Sequence, residues 1–201
     1  MKLYESPATR SARCRWVLQE LGVPFEAIPV KLAQGEHKQA EFLKLNPYGR
    51  VPVLVDGDLV LSESVAICLY LADKYADRGL IPTPGTAQRA IHDQWLLFCA
   101  TEMEQPLWQI RRHTALYPVE RRLPAEVAIA RENFQRAAAV LEGALRDRVY
   151  LADTGFSIAD IVVSYTLRWA AGYGLLDDHP GLEAYQNWHL ARDACPEELR
   201  R

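Results

Sequence analysis

The sequence predicts an α/β domain followed by an all-α domain, and three observations predict it. The first 77 residues alternate short β-rich runs with helical stretches, in the order βαβ-α-ββα. A Pro/Gly stretch, Arg78-Gly79-Leu80-Ile81-Pro82-Thr83-Pro84-Gly85, then interrupts the pattern. From position 87 onward the apolar residues recur only at helical spacing. The basic residues change at the same place: all five lysines (Lys2, Lys31, Lys38, Lys44, Lys74) come before it, and every later basic side chain is Arg. The expected division is therefore 1–77 for the α/β domain, 78–86 for a linker and 87–201 for the helical domain.

Residues 2–5 form a short first strand, broken by Ser6-Pro7-Ala8-Thr9. A helix then runs to Leu21, with Val17, Leu18 and Leu21 on its apolar face and Gly22 as its stop. Phe25 to Val30 is a second strand, marked as extended by Pro24 and Pro29. Strand, helix, strand at this length is a βαβ unit, which implies parallel pairing and a right-handed crossover. A short helix at 38–45 ends at Asn46-Pro47. Val53-Leu54-Val55 and Leu59-Val60-Leu61 flank an Asp56-Gly57 turn signal and predict a hairpin. A helix over 63–75 completes the domain, and the whole order is that of a thioredoxin-like fold.

In the second half, Ile91, Trp95, Phe98, Glu102 and Ile110 predict one helix over 87–115, kinked at Pro106. A second helix over 125–146 carries Val127, Phe134, Ala138, Leu141 and Leu145, with i,i+4 ion pairs expected for Glu132–Arg136 and Glu142–Arg146. Ser157 followed by Asp160 approximates a capping box for a third. Leu182, Tyr185 and Trp188 mark a last helix at about 182–193.

The stretch 50–67 organises the first domain. Pro52 lacks an N–H and suits only the entry to a strand, and an X-Pro bond can be cis at modest cost. A cis bond would turn the N–H and C=O of Val51 away from the sheet, free for a ligand. The helix start at Ser64 offers unpaired N–H groups and a positive dipole end for a carboxylate, and Glu63 beside it can hold an ammonium. Together these groups can bind a free amino-acid head next to an exposed peptide edge.

Val51-Pro52-Val53-Leu54 followed by Glu63-Ser64 resembles the glutathione-binding half of the soluble glutathione S-transferases. Met1-Lys2-Leu3-Tyr4-Glu5-Ser6-Pro7, the Leu21-Gly22-Val23-Pro24-Phe25-Glu26 link, Asn46-Pro47 and the helical second half extend the resemblance over the whole chain. It points to a bacterial-like member of the Ser/Thr type rather than the Tyr type. The resemblance implies a cytoplasmic, homodimeric detoxification enzyme. Glutathione would be its co-substrate, with no permanently bound cofactor and no metal, and a small hydrophobic electrophile or a disulfide would be the second substrate. It equally accommodates a glutathione-dependent disulfide reductase or isomerase, or a non-catalytic binding or regulatory protein built on the same fold.

The helix that begins after Thr9 is the place for thiol activation. The chain has no C-x-x-C there, so a borrowed thiol needs a hydroxyl or amide donor for its anion. A free thiol near pKa ~8.5 must drop by about 2 units to be mostly ionised at neutral pH, which takes about 2.7 kcal/mol of differential stabilisation. By the resemblance Thr9 or Ser11 fills the hydroxyl position, with Arg10 or a backbone amide as the alternative; the competing role for either hydroxyl is to cap the helix. By the same resemblance His37 reaches the glycine end of glutathione and Arg50 is a carboxylate partner. Trp108, Arg111, Arg112, His113 and Tyr117 fall where such proteins line the second substrate's cleft, and Trp108, Arg112 and His113 are the acceptor-site candidates.

Composition bounds the rest. Apolar residues make up 49% of the chain, enough for a packed core. No run approaches the ~18 apolar residues of a membrane span, and Met-Lys-Leu-Tyr-Glu leads straight into a strand, so neither membrane nor export is expected. The formal net charge of −3 argues against nucleic acid as a partner. Cys14, Cys68, Cys99 and Cys195 show no zinc spacing and read as buried thiols in a reducing compartment. His92, His179 and His189 read as surface or structural residues.

Overall fold

The computed structural model describes residues 1–152 and 154–200. They form two compact units, Met1–Ile81 with Ala191–Arg201, and Pro82–Leu190. The last residues, assigned by pattern to the helical domain, instead group with the first unit.

The first unit is a four-stranded mixed sheet with helices. β1 (Lys2–Glu5) is followed by α1 (Ser11–Leu21), β2 (Glu26–Pro29), α2 (Ala40–Leu45), β3 (Val53–Asp56), β4 (Leu59–Ser62) and α3 (Ser64–Lys74). The sheet order is β2-β1-β3-β4, with β1 parallel to β2 and antiparallel to β3. Pro29 lies on an edge strand, where its missing N–H removes no ladder bond from the interior. Gly22 takes a left-handed φ of 64° and returns its N–H to Gln19 at the end of α1. The hairpin loop is Gly57-Asp58, one residue later than the Asp56-Gly57 signal. Asp56 is still paired with Leu59, and Gly57 supplies the positive φ of 60° at the first loop position. Asp56 accepts hydrogen bonds from Tyr70 at 2.8 Å and from Lys74, which braces the hairpin against α3. The Val51–Pro52 peptide bond is cis.

Leu3, Trp16, Val17, Leu18, Leu21, Leu54, Ile67 and Leu71 are fully buried in this unit. A smaller cluster of Val30, Phe42 and Val53 is packed by Tyr4 and Val51. The C-terminal segment joins α1 through Arg192, whose guanidinium donates to Glu20 from Nε at 2.7 Å and from Nη2 at 2.9 Å. Trp16 Nε1 donates to the same carboxylate at 3.0 Å. That pairing of residues 172 apart explains why the segment belongs here, with short α9 (Glu197–Arg200) at its end.

The second unit is helical: α4 (Ala87–Phe98), α5 (Glu104–Arg111), α6 (Pro124–Leu145), α7 (Ile158–Ala171) and α8 (Pro180–Leu190). The single helix expected over 87–115 is divided. A π-helical turn, Cys99–Met103, separates α4 from α5, and a second, Arg112–Leu116, follows α5. The first turn includes Glu102, four residues before buried Pro106, and the wider turn takes up the ring that would clash with that carbonyl in a regular helix.

The surface ion pairs expected on α6 are replaced. Arg136 donates to Asn133, and Glu142 turns to His179. His92, His179 and His189 are all buried, so none is a surface residue. Among the apolar residues of α3 and α4, Leu71 and Leu96 belong to the core. Leu97 is 63% exposed, and Trp95 and Phe98 pack edge to face, half-buried. The Ser157–Asp160 capping box forms as expected: Asp160 Oδ2 accepts the Ser157 N–H and hydroxyl, both at 2.8 Å. Its Oδ1 takes the Leu151 N–H at 2.9 Å and the Tyr185 hydroxyl at 2.6 Å.

Candidate functional site

The break after β1 places three oxygens around the start of α1. Thr9 Oγ1 lies 2.6 Å from the Ser6 carbonyl and 2.9 Å from Ser11 Oγ, and accepts the Ser11 N–H at 3.2 Å. Ser11 Oγ accepts the Ser6 N–H at 3.3 Å. Ser11 is 1% exposed, whereas Thr9 and Arg10 are half-buried. Thr9 thus has one hydroxyl proton and two neutral acceptors, and it caps one helix N–H as well. A thiolate carries a full charge and competes well with a neutral carbonyl for that proton. The capping role and the donor role therefore meet in one residue.

The same end of α1 lies against the start of α3. Cys14, three residues into α1, directs its thiol to the Ser64 carbonyl at 3.5 Å. Burial pushes the Cys14 thiol well above its ordinary value, and Cys68 beside it adds to the rise, while the Arg13 guanidinium works against it. All four cysteines are buried and unpaired in disulfides, so the chain presents no reactive thiol of its own here. Ser64 is buried at the first position of α3, with Glu63 exposed just before it. Glu63 has φ 66° and ψ 109°, a conformation rare for a side-chain-bearing residue and found chiefly where function holds it.

The loop between α2 and β3 is built by Asn46. Its side chain donates to the Arg50 carbonyl at 2.8 Å and accepts the Tyr48 N–H at 3.1 Å. Gly49, at φ 63°, passes so close to the His37 carbonyl that a Cβ would stand 2.7 Å from it. Arg50 stacks over the Tyr48 ring with its guanidinium 4.2 Å from the centroid. The structure thereby brings the loop carrying Arg50, Val51 and Pro52 against the turn carrying His37. Among the described residues, the buried Nδ1 of His37 has no hydrogen-bond partner. Sequence reasoning took Asn46-Pro47 as a helix end and as part of the resemblance, and missed Asn46 and Gly49 as builders of this loop; the Asn-Pro-x-Gly spacing was the available signal. Nothing in the sequence marked the backbone of Glu63.

Trp108, Arg112 and His113 all lie in the second unit, at the end of α5 and in the π turn after it. Arg112 sits 5.5 Å over the Trp108 ring. His113 accepts the Leu123 N–H on Nδ1 at 3.1 Å and meets Tyr117 edge to face at 5.1 Å. They form a local cluster on their own unit. Among the described residues no group of three or more His, Cys, Asp or Glu could hold a metal, and no helix is long and apolar enough to cross a membrane.

The first unit is thus a mixed sheet whose first helix starts at the hydroxyls of Thr9 and Ser11 with no dithiol there, and the second unit is helical. Comparison with known proteins gives the family. The pattern of the glutathione S-transferase N-terminal domain matches residues 1–73, and that of the C-terminal domain matches residues 115–188. Glutathione S-transferase 3 of Zea mays is 38% identical over 164 residues, covering 80% of this chain and 73% of the relative. A glutathione S-transferase of Hyoscyamus muticus is 32% identical over 203 residues, covering 96% and 95%.

Among solved structures, a glutathione transferase of Phanerochaete chrysosporium with oxidized glutathione superposes with a TM-score of 0.86 at 30% identity, over 98% of this chain and 92% of that one. A family member from Pseudomonas fluorescens with two glutathione bound gives 0.88 at 26% identity, over 99% and 92%. The chain belongs to the glutathione S-transferase family and is an enzyme of that family, whose co-substrate is glutathione.

Proposed function

We propose that the chain binds glutathione on its first unit and activates it as a thiolate through Thr9, making it a Ser/Thr-type transferase. The observation that carries this reading is the half-buried Thr9 hydroxyl at the start of α1, beside the start of α3. Ser11 supports Thr9, and Arg10 adds positive charge at the same helix end. The γ-glutamyl head of glutathione sits at the N-terminus of α3, its carboxylate on the Ser64 N–H and its ammonium on Glu63. Val51, ahead of Pro52, pairs with the ligand's backbone, and His37 and Arg50 hold its glycine carboxylate. The thiolate then attacks a small hydrophobic electrophile, with Trp108, Arg112 and His113 as the groups that hold it.

Retention on glutathione–agarose, followed by assay with a chlorodinitrobenzene-type acceptor and with a mixed disulfide, tests the reading. Retention with turnover of the first acceptor supports it. Turnover of the disulfide alone replaces transfer with reduction, and retention with turnover of neither makes the chain a binding protein.

We infer further that it works as a homodimer in a reducing compartment, the cytoplasm, in detoxification. Four free buried cysteines suit that compartment. Leu97 on α4, and Leu59 and Val60 on edge strand β4, are exposed apolar residues of the kind an isologous contact covers. Sedimentation equilibrium at micromolar concentration decides the assembly: a mass near 22.8 kDa rejects the dimer, and twice that supports it.

A further inference from the structure

The loop between α5 and α6 gathers exposed aliphatic side chains and guanidinium groups in one short stretch. Leu116, Val119 and Leu123 are 49%, 75% and 54% exposed. Positions 111–125 also carry Arg111, Arg112, Arg121 and Arg122, against Glu120 as the one acid. Among the described residues the partners of these arginines are rings and backbone carbonyls, not carboxylates. Arg112 lies over Trp108, and Arg121 lies 5.4 Å over the Tyr117 ring. Arg122 donates to the Tyr117 carbonyl from Nε at 2.8 Å and to the Ala115 carbonyl from Nη2 at 3.3 Å. The positive charge is therefore local and uncompensated, in a chain whose formal net charge is −3.

The loop is closed on itself. The Tyr117 N–H returns to the Arg112 carbonyl at 2.9 Å, and the Leu123 N–H to His113 Nδ1 at 3.1 Å. A turn of 3-10 helix, Val119–Arg121, fills the span between them. With the Arg122 bonds these contacts tie the two limbs of the loop together. The bare aliphatic groups thus stand on a braced backbone, and clustered apolar exposure with a polar rim marks a surface that meets a partner.

The chemistry of the loop selects the partner. Three aliphatic side chains fall well short of the ~800 Å² a side that a stable protein interface takes. They suit a softer surface. An interfacial segment sinks its apolar groups about 5–10 Å into the headgroup boundary while its cations meet anionic lipid. Guanidinium binds phosphate through two parallel hydrogen bonds, and every basic residue after Lys74 is Arg.

We propose that the loop between α5 and α6 is a peripheral contact for an anionic bilayer. Leu116, Val119 and Leu123 enter the headgroup layer, and Arg111 and Arg121 engage lipid phosphates. The contact is not a span: among the described residues no helix is long and apolar enough to cross a membrane. It does not depend on Thr9 or Glu63, and it holds the chain where apolar compounds collect.

The test is cosedimentation of the full chain with vesicles of equal parts phosphatidylglycerol and phosphatidylcholine, with pure phosphatidylcholine as the neutral control. The expected result is saturable binding to the mixed vesicles, at least tenfold tighter than to the neutral ones and weakened by added salt. Val119→Asp and Arg121→Glu should each reduce it at least fivefold, with glutathione affinity and turnover unchanged. Both side chains are exposed, so retained helical circular dichroism separates a lost contact from a lost fold. The four native thiols are buried, so a thiol introduced by Val119→Cys takes a polarity-sensitive fluorophore selectively. Its emission should shift to the blue on the mixed vesicles, whereas a label at Ala184→Cys, exposed on α8, should not shift. Equal binding to both vesicles, binding untouched by the two substitutions, or no blue shift at Val119 would overturn the proposal. So would binding to polyglutamate with none to vesicles, which would make the loop a dock for an acidic protein.

Discussion

Thr9 Oγ1 stands 2.9 Å from Ser11 Oγ, and only the first of the two is open to a ligand. Thr9→Ala is expected to raise the pKa of bound thiol and lower kcat by about 10², as loss of a donor to a developing anion does elsewhere, with glutathione affinity nearly unchanged. Ser11→Ala is expected to act on stability first, because it removes the acceptor of the Ser6 N–H inside the fold. Ultraviolet titration of the bound thiolate distinguishes them. If neither change moves the titration, the donor is a backbone amide or Arg10.

Glu63 yields two opposed effects. Glu63→Ala is expected to weaken glutathione binding by about 2–4 kcal/mol, since the ligand's ammonium loses its partner. Glu63→Gly should lose the same binding, yet raise unfolding stability by about 1 kcal/mol relative to Glu63→Ala, because glycine accepts φ 66° without strain. Calorimetric titration and urea unfolding of the two variants read both quantities; an unchanged dissociation constant removes Glu63 from the site.

The boundary between legible and illegible features runs along sequence separation. Gly22, the strand order of the βαβ unit and the Ser157–Asp160 cap are local, and each is readable from a few adjacent residues. Glu142 was assigned to Arg146 four residues away, but His179 takes it from 37 residues away. The hairpin slipped by one residue because Asp-Gly is a turn signal at either of two registers, and the ladder extends through Asp56. Of the proposed site, residue types and spacing pointed to Glu63 and Ser64, and the family resemblance to Thr9 or Ser11. The loop held by Asn46 and Gly49 was hidden because it depends on contact with the turn at His37.

His92 sets a pH dependence. It is fully buried on α4, with Nδ1 2.8 Å from Asp93. Burial lowers its pKa below the ordinary 6.5, with Asp93 opposing. The folded state therefore binds this proton less readily than the unfolded state. Stability is full above about pH 6.5 and falls as pH drops through the window below it, by at most about 1.4 kcal/mol per unit for one proton. Unfolding of His92→Gln followed from pH 7 to 5 should show a shallower decline than the parent, and equal slopes would refute the assignment.

Asp160 holds four donors from three residues, so its loss is not local to the cap. Burial pushes its carboxyl upward, and the Tyr185 hydroxyl leads the hydrogen bonds that hold it back. Asp160→Ala strands those donors in the interior and is expected to cost about 3–5 kcal/mol in denaturant unfolding. A cost below about 1 kcal/mol would mean that water replaces the carboxylate.

The Arg192–Glu20 clasp has a consequence for how the chain is made. The β-sheet unit is assembled from both ends of the sequence described, with the helical unit threaded between them. On the ribosome, Glu20 emerges early and waits through more than a hundred residues of helix before its guanidinium partner leaves the tunnel. Until then α1 keeps a nearly enclosed carboxylate whose remaining bond in the finished fold is the one from Trp16. The segment that clasps α1 is thus made 172 residues after the carboxylate it holds.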